Sequence, residues 1–310
     1  MDTAASTAST CPWCGAPRAL AAACPRCGAD YAKADQIRRH GRAAAPPALP
    51  EIVIDEAQQV PDSEPGAVED PALELKLCLF ALPAALLAGI AFHVFAPGMQ
   101  RIFLGMPVHE LGHTVSAWFC GFTAVPTLWF TRIAETRGFV APVVLGSVLC
   151  AMGWRAWRGG HRGLAGLAVL LLALQAVGTF MIDERRAEAF ITFGGDGMGM
   201  VLATALMASF FFGKGTQLYH GRLRWGFLVI GAGAFFDIFP TWWTARNDYS
   251  DIPFGEMERG GPSDATRLVE WYGWSIETMV SRYSMLGACC LLVLLAIYVW
   301  GVLQASRRHA

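Results

Sequence analysis

From residue 73 onward the chain is dominated by apolar segments, at about 75–96, 101–120, 139–157, 164–182, 197–213, 225–243 and 284–303, separated mostly by short charged connections. A helix needs about 20 apolar residues to cross about 30 Å of hydrocarbon, because in lipid each backbone amide has to be satisfied within its own segment. These stretches predict an all-α fold: a polytopic transmembrane helical bundle of about 6–8 spans covering residues 73–310. Composition agrees, with 54 % hydrophobic and only 16 % charged residues against about a quarter charged in soluble domains. The net charge of −1 leaves no basic footprint for nucleic acid, so the expected surroundings are a lipid bilayer and no nucleic acid.

The N-terminus has a different character. Residues 11 to 28 read CPWCGAPRALAAACPRCG. Two Cys-x-x-Cys knuckles can supply four thiolates, from Cys11, Cys14, Cys24 and Cys27, to one tetrahedral Zn²⁺. Gly15 and Gly28 end the knuckles and let the backbone turn tightly. The sequence predicts a zinc ribbon over residues 1–30, similar to the short ribbons found at the ends of many bacterial proteins. Four cysteines leave no open coordination position, so this zinc is structural and the module suits docking to a cytosolic protein partner. Residues 31–72 are rich in Ala, Pro and acids, with no Lys or Arg between Arg42 and Lys76. Such a stretch cannot bury a core and is expected to be a disordered linker. No apolar run precedes residue 73, which predicts a ribbon held in the cytosol with its thiols reduced.

The topology does not close on seven spans. Arg155, Arg158 and Arg162 form one basic connection, Lys214, Arg222 and Arg224 another, and Arg307 with Arg308 ends the chain. The excess of Lys and Arg in cytoplasmic loops places all three on the ribbon's side, which requires an even number of crossings. The suspect is 101–120, which Pro107 interrupts. A helix starting there and ending near Cys120 is only about 21 Å long at 1.5 Å per residue.

That suspect segment carries the chemistry, in MPVHELGHTVSAWFCG, residues 106–121. On a helix His109 and His113 stand one turn apart on one face, where two imidazoles can hold one Zn²⁺. Glu110 lies beside that face and can take a proton from an attacking water and return it to a departing amine. This is the His-Glu-x-x-His logic of metalloproteases. Ionisable residues inside a membrane are costly and functional by default.

HELGH on an apolar helix followed by further spans resembles the site-2-protease class of intramembrane zinc metalloproteases. The resemblance implies His109 and His113 as ligands of a catalytic zinc, Glu110 as general base, and a third ligand from an Asp-Gly motif on a later helix. FGGDGMGM at 193–200 offers Asp196 for that role, although the family's longer Asn/Pro-rich lead is missing. A helix N-cap is the other reading of Asp196. Asp237, Glu184 and Glu188 are rivals for the third position. Residues 122–139 alternate loosely and carry β-formers, and read either as an ordinary loop or as the strand pair that aligns substrate in that class. The implied activity is zinc-dependent endopeptidase cleavage of membrane-spanning protein substrates, in a bacterial cytoplasmic membrane. A surface-acting metallopeptidase with a Glu ligand, or a non-catalytic scaffold whose working part is the ribbon, are the competing readings.

Overall fold

The structure is a computed structural model that describes residues 10–40, 70–212, 223–256 and 261–309. The chain divides into two compact units, at Met1–Val68 and Glu69–Ala310.

In the first unit each knuckle closes on an isolated antiparallel bridge, Thr10 with Pro17 and Ala23 with Asp30. Gly15 and Gly28 sit at φ 70° and 71°, the left-handed region that the tight turn requires and that only glycine enters cheaply. Helix α1, Tyr31–His40, follows at once, with the Asp30 carboxylate accepting from the amides of Ala32 and Lys33. These ten residues fall in the stretch the sequence assigns to the linker. They are helical because Tyr31 buries its ring against Cys11 and Cys24, and Arg18 both pairs with Asp35 and lies over the Tyr31 ring. The rest of the expected linker, 41–69, lies outside the described residues.

The second unit is helical. Asp70 caps α2 (Pro71–Phe95) by accepting from the Ala72 amide, with Pro71 in the first turn, where a missing N–H costs nothing. Next come α3 (Pro97–Gln100), a π-helical turn at Arg101–Gly105, and α4 (Met106–Phe119). Strands β1 (Phe122–Pro126) and β2 (Thr131–Arg137) pair antiparallel, so 122–139 is a strand pair and not the ordinary loop. They lead to α5 (Val140–Arg158), α6 (Arg162–Phe180) and α7 (Glu184–Ala208). Then follow α8 (Leu223–Thr244), the short α9 (Asp264–Glu270), and α10 (Ile276–His309).

Among the described residues, six helical stretches are long and apolar enough to cross a membrane: Pro71–Phe95, Val140–Arg158, Arg162–Phe180, Glu184–Phe211, Leu223–Thr244 and Ile276–Arg308. The chain is an integral membrane protein by this measure. The stretch at 101–120 is the exception, so the candidate spans come to an even number. Pro107 does not start that helix, however. The helical path runs on from Pro97, and the π turn, with the Met106 amide donating to the Arg101 carbonyl, widens the coil just before the proline.

The α5–α6 pair is peripheral, with 11 % and 22 % of its apolar windows buried, whereas those of α7 and α8 are 56 % and 50 % buried. The exposed side chains of α5 and α6, such as Val143, Val148, Leu170 and Leu174, are those of helices bathed in lipid tails. The site is carried by the central helices. Trp243 and Trp271 are exposed, but Trp242 is fully buried and stacks on Tyr283 at 4.0 Å.

Candidate metal centre

Helix α4 packs directly on α7. His109 faces Asp196 and His113 faces Ile191, so the two helices run antiparallel. Glycines set the spacing. A Cβ at Gly112 would overlap the carbonyl oxygens of Gly194 and Gly195 and the amide of Gly199, and one at Gly195 would run into both imidazoles. Close backbone approach across small residues is a standard device of helix pairs in membranes, where the lipid supplies no hydrophobic drive. The 194–199 glycines neither loosen nor start a helix, because α7 begins at Glu184 with Asp183 as its N-cap, accepting from the Arg186 amide. Asp196 is therefore mid-helix, and its N-cap reading is ruled out by position.

The two rings stand at 89° with centroids 4.7 Å apart. His113 Nδ1 lies 2.8 Å from the Ile191 carbonyl oxygen. A carbonyl only accepts, so this nitrogen carries the proton and Nε2 presents a lone pair. His109 Nδ1 lies 2.8 Å from Asp196 Oδ1, while Trp242 Nε1 donates to Asp196 Oδ2 at 2.8 Å. The carboxylate, oriented by the indole, fixes the His109 tautomer in the same sense. The two Nε2 atoms then meet at 3.1 Å.

A third acceptor joins them. Asp264 Oδ2 lies 2.9 Å from His113 Nε2 and 3.2 Å from His109 Nε2. Asp264 opens α9, whose start is capped by Ser263 accepting from the Thr266 amide. Ala265 and Leu268 are buried and seat the helix. Two lone pairs and a carboxylate turned toward one point repel each other unless a cation or protons sit between them. Ligands about 2.0–2.1 Å from a tetrahedral Zn²⁺ lie about 3.3 Å apart, within a few tenths of an ångström of all three separations. His109, His113 and Asp264 can therefore hold a metal ion, with a fourth position left over.

Asp196, the expected third ligand, touches the far nitrogen of His109 instead and does not reach the Nε2 side. It fits the carboxylate–histidine–metal arrangement in which an outer acid orients a ligand. Among the rivals, Asp237 is buried and paired with Arg101 at 2.9 Å. Its carboxylate also fills the space a side chain at Gly105 would need. Glu184 and Glu188 sit exposed in the first turns of α7, Glu188 accepting from Tyr272 at 3.4 Å. None of these three converges on the imidazoles. Asp264 was missed because nothing in its polar loop marks it. Its only signal is that Ser-Asp opens a short capped helix.

Glu110 is buried. The Thr131 hydroxyl lies 2.8 Å from both its Oε2 and its carbonyl oxygen, and Thr114 donates to the same carbonyl at 2.9 Å. Thr131 opens β2, so the hairpin is fastened at the general-base candidate.

In the N-terminal unit Cys11 Sγ and Cys27 Sγ are 3.9 Å apart, and Cys14 Sγ and Cys24 Sγ 3.7 Å. Thiolates about 2.3 Å from a tetrahedral Zn²⁺ stand about 3.8 Å apart, so the four sulfurs fit the ion. Amides of Arg26 and Cys27 pull the Cys24 thiol down to about 6, and those of Cys14 and Trp13 lower that of Cys11. The Ala29 amide acts the same way on Cys27, yet desolvation and the neighbouring sulfurs push that thiol up to about 12. A full set of four thiolates needs a dication among them. Cys24→Ser is expected to abolish the ribbon's zinc and, since so small a core cannot stand without it, the protease resistance of residues 10–40. Limited proteolysis with zinc quantification on the full chain checks both.

No family model, no curated protein and no solved structure matches this chain.

Proposed function

We propose that the chain is a membrane-embedded, zinc-dependent endopeptidase, similar in its machinery to the site-2-protease class, that cleaves membrane-spanning protein substrates. The observation that carries this reading is the convergence of His109 Nε2, His113 Nε2 and Asp264 Oδ2 beside a buried glutamate. His109, His113 and Asp264 would hold the ion, and Asp196 would orient His109. A bound divalent ion supplies Lewis acidity at this point.

The remaining roles fall to the chain's own residues. Glu110 takes the proton of the attacking water and returns it to the departing amine, the exchange a general base performs twice. Thr131, on the hairpin, donates toward the Glu110 carboxylate and carbonyl, and Thr114 donates to the same carbonyl, so the hairpin and the general base are positioned together. The α7 glycines let α4 approach closely enough for both imidazoles to lie against α7. A helical substrate must unwind to offer a peptide bond, and an extended strand can be read by main-chain hydrogen bonds at a sheet edge. The two-stranded hairpin offers such edges next to Glu110, and β2 is largely exposed. The ribbon would serve recruitment on the cytosolic side.

Glu110→Gln tests the reading. Removing a general base typically costs 10²–10⁴-fold, so cells carrying only this variant are expected to accumulate uncleaved membrane proteins relative to the unmodified strain. The same accumulation should follow His113→Ala. If quantitative membrane proteomics shows no such species in either strain under several growth conditions, proteolysis is excluded. The metal site, if zinc analysis still finds it occupied, then serves another end.

A further inference from the structure

The face of the bundle formed by the first turns of α7 and α10 carries a groove that the metal centre does not use. It encloses about 660 Å³ and is lined by Arg186, Phe190 and Phe193 of α7 and by Arg282 and Leu286 of α10, with Trp274 at its mouth. The two helices start on the same side, since Arg185 donates to the Trp271 carbonyl and Tyr272 reaches Glu188. The groove therefore begins at the membrane boundary and runs inward to Cys289.

Its two ends differ in chemistry. The outer end has two guanidinium groups. Arg282 lies 4.2 Å over the Trp274 ring, and no carboxylate pairs with it among the described residues. Arg186 is 83 % exposed and leans on Asp183 at 3.2 Å, an i,i+3 surface pair that is weak and easily exchanged. The inner end is apolar. Its wall is stiff, because Phe193 stacks on Tyr283 at 4.3 Å and Tyr283 on Trp242 at 4.0 Å. A preformed apolar slot under two cations is complementary to a molecule with an anionic head and a hydrocarbon tail.

We infer that this groove is a binding site for an anionic phospholipid, whose phosphate is held by Arg186 and Arg282 and whose acyl chain lies against Phe190, Phe193 and Leu286. Guanidinium forks hold phosphate oxygens bidentately, and basic pockets between transmembrane helices suit lipid headgroups. Trp274 sits at the level where indoles favour the boundary.

Native mass spectrometry of the full chain, released from neutral detergent with added phosphatidylglycerol or phosphatidylcholine, tests the site. One phosphatidylglycerol is expected to stay bound, at least tenfold more tightly than phosphatidylcholine. Arg186→Ala/Arg282→Ala should remove that tenfold preference. Leu286→Trp, which fills the slot and keeps both charges, should displace the lipid as well. Equal retention of the two lipids, or undiminished phosphatidylglycerol in either variant, overturns the assignment. So does displacement of the lipid by a single-span hydrophobic peptide to the same extent with and without the arginines, which would make the groove a helix-docking face.

Discussion

Zinc analysis of the Asp264→Ala protein is expected to return one ion per chain where the unmodified chain returns two. The remaining ion would be the one that Cys11, Cys14, Cys24 and Cys27 can hold in a separate unit. Removing Asp264 leaves two imidazoles, which is fewer than the three protein ligands of ordinary catalytic zinc sites. Asp196→Asn should behave differently. It keeps all three converging atoms and disturbs only the far side of His109, so both ions should remain, with the second held about 10–100-fold more weakly. The pair of variants separates ligand from orienting residue. Should Asp196→Asn empty the site while Asp264→Ala keeps it filled, the roles are reversed and Asp196 is the third ligand.

The second large effect comes from a single methyl group. Gly112→Ala places its Cβ against the carbonyl oxygens of Gly194 and Gly195 and the amide of Gly199. All three are backbone atoms of α7, so no side-chain rotation relieves the overlap, and the helices must move apart. Overpacking of this kind typically costs 1–3 kcal/mol and occasionally more. We expect about 3 kcal/mol here, read as a lowered midpoint in thermal unfolding in detergent, together with loss of the second zinc. Gly166→Ala is the control. It lies within α6 with nothing inside 4 Å of a built Cβ, and should be neutral or stabilise by up to about 1 kcal/mol through helix propensity. An unchanged midpoint for Gly112→Ala would mean that α4 and α7 are not packed as described.

The parts legible in the sequence are those set by local spacing. Two cysteines with two residues between them can only curl around one point, and the sulfur geometry follows. His109 and His113 share a helix face because a helix turns every 3.6 residues. The apolar spans and the odd behaviour of 101–120 are also local. Four readings needed more than spacing. The helix at Tyr31–His40 depends on a tyrosine packing on the cysteines. The glycines of 194–199 look like a helix breaker until a second helix lies against them. Trp242 looks like a boundary residue until Tyr283 and Asp196 enclose it. Asp237 looks like a lone intramembrane acid until Arg101 is beside it.

By itself the sequence determined that this chain crosses a membrane, that its N-terminal cysteines can gather around a zinc ion, and that two imidazoles and a glutamate sit together on one apolar helix. Those properties come from hydrophobic transfer and from the pitch of the α-helix, both of which act between near neighbours. Only the tertiary structure decided which carboxylate completes the group. Asp196 and Asp264 are both far along the chain from His113, and each reaches the histidines from a different side. Which nitrogen each one meets follows from the packing of α4 into the glycine face of α7 and the seating of α9 by Leu268. Such contacts join residues distant in sequence, so no periodicity along the chain encodes them.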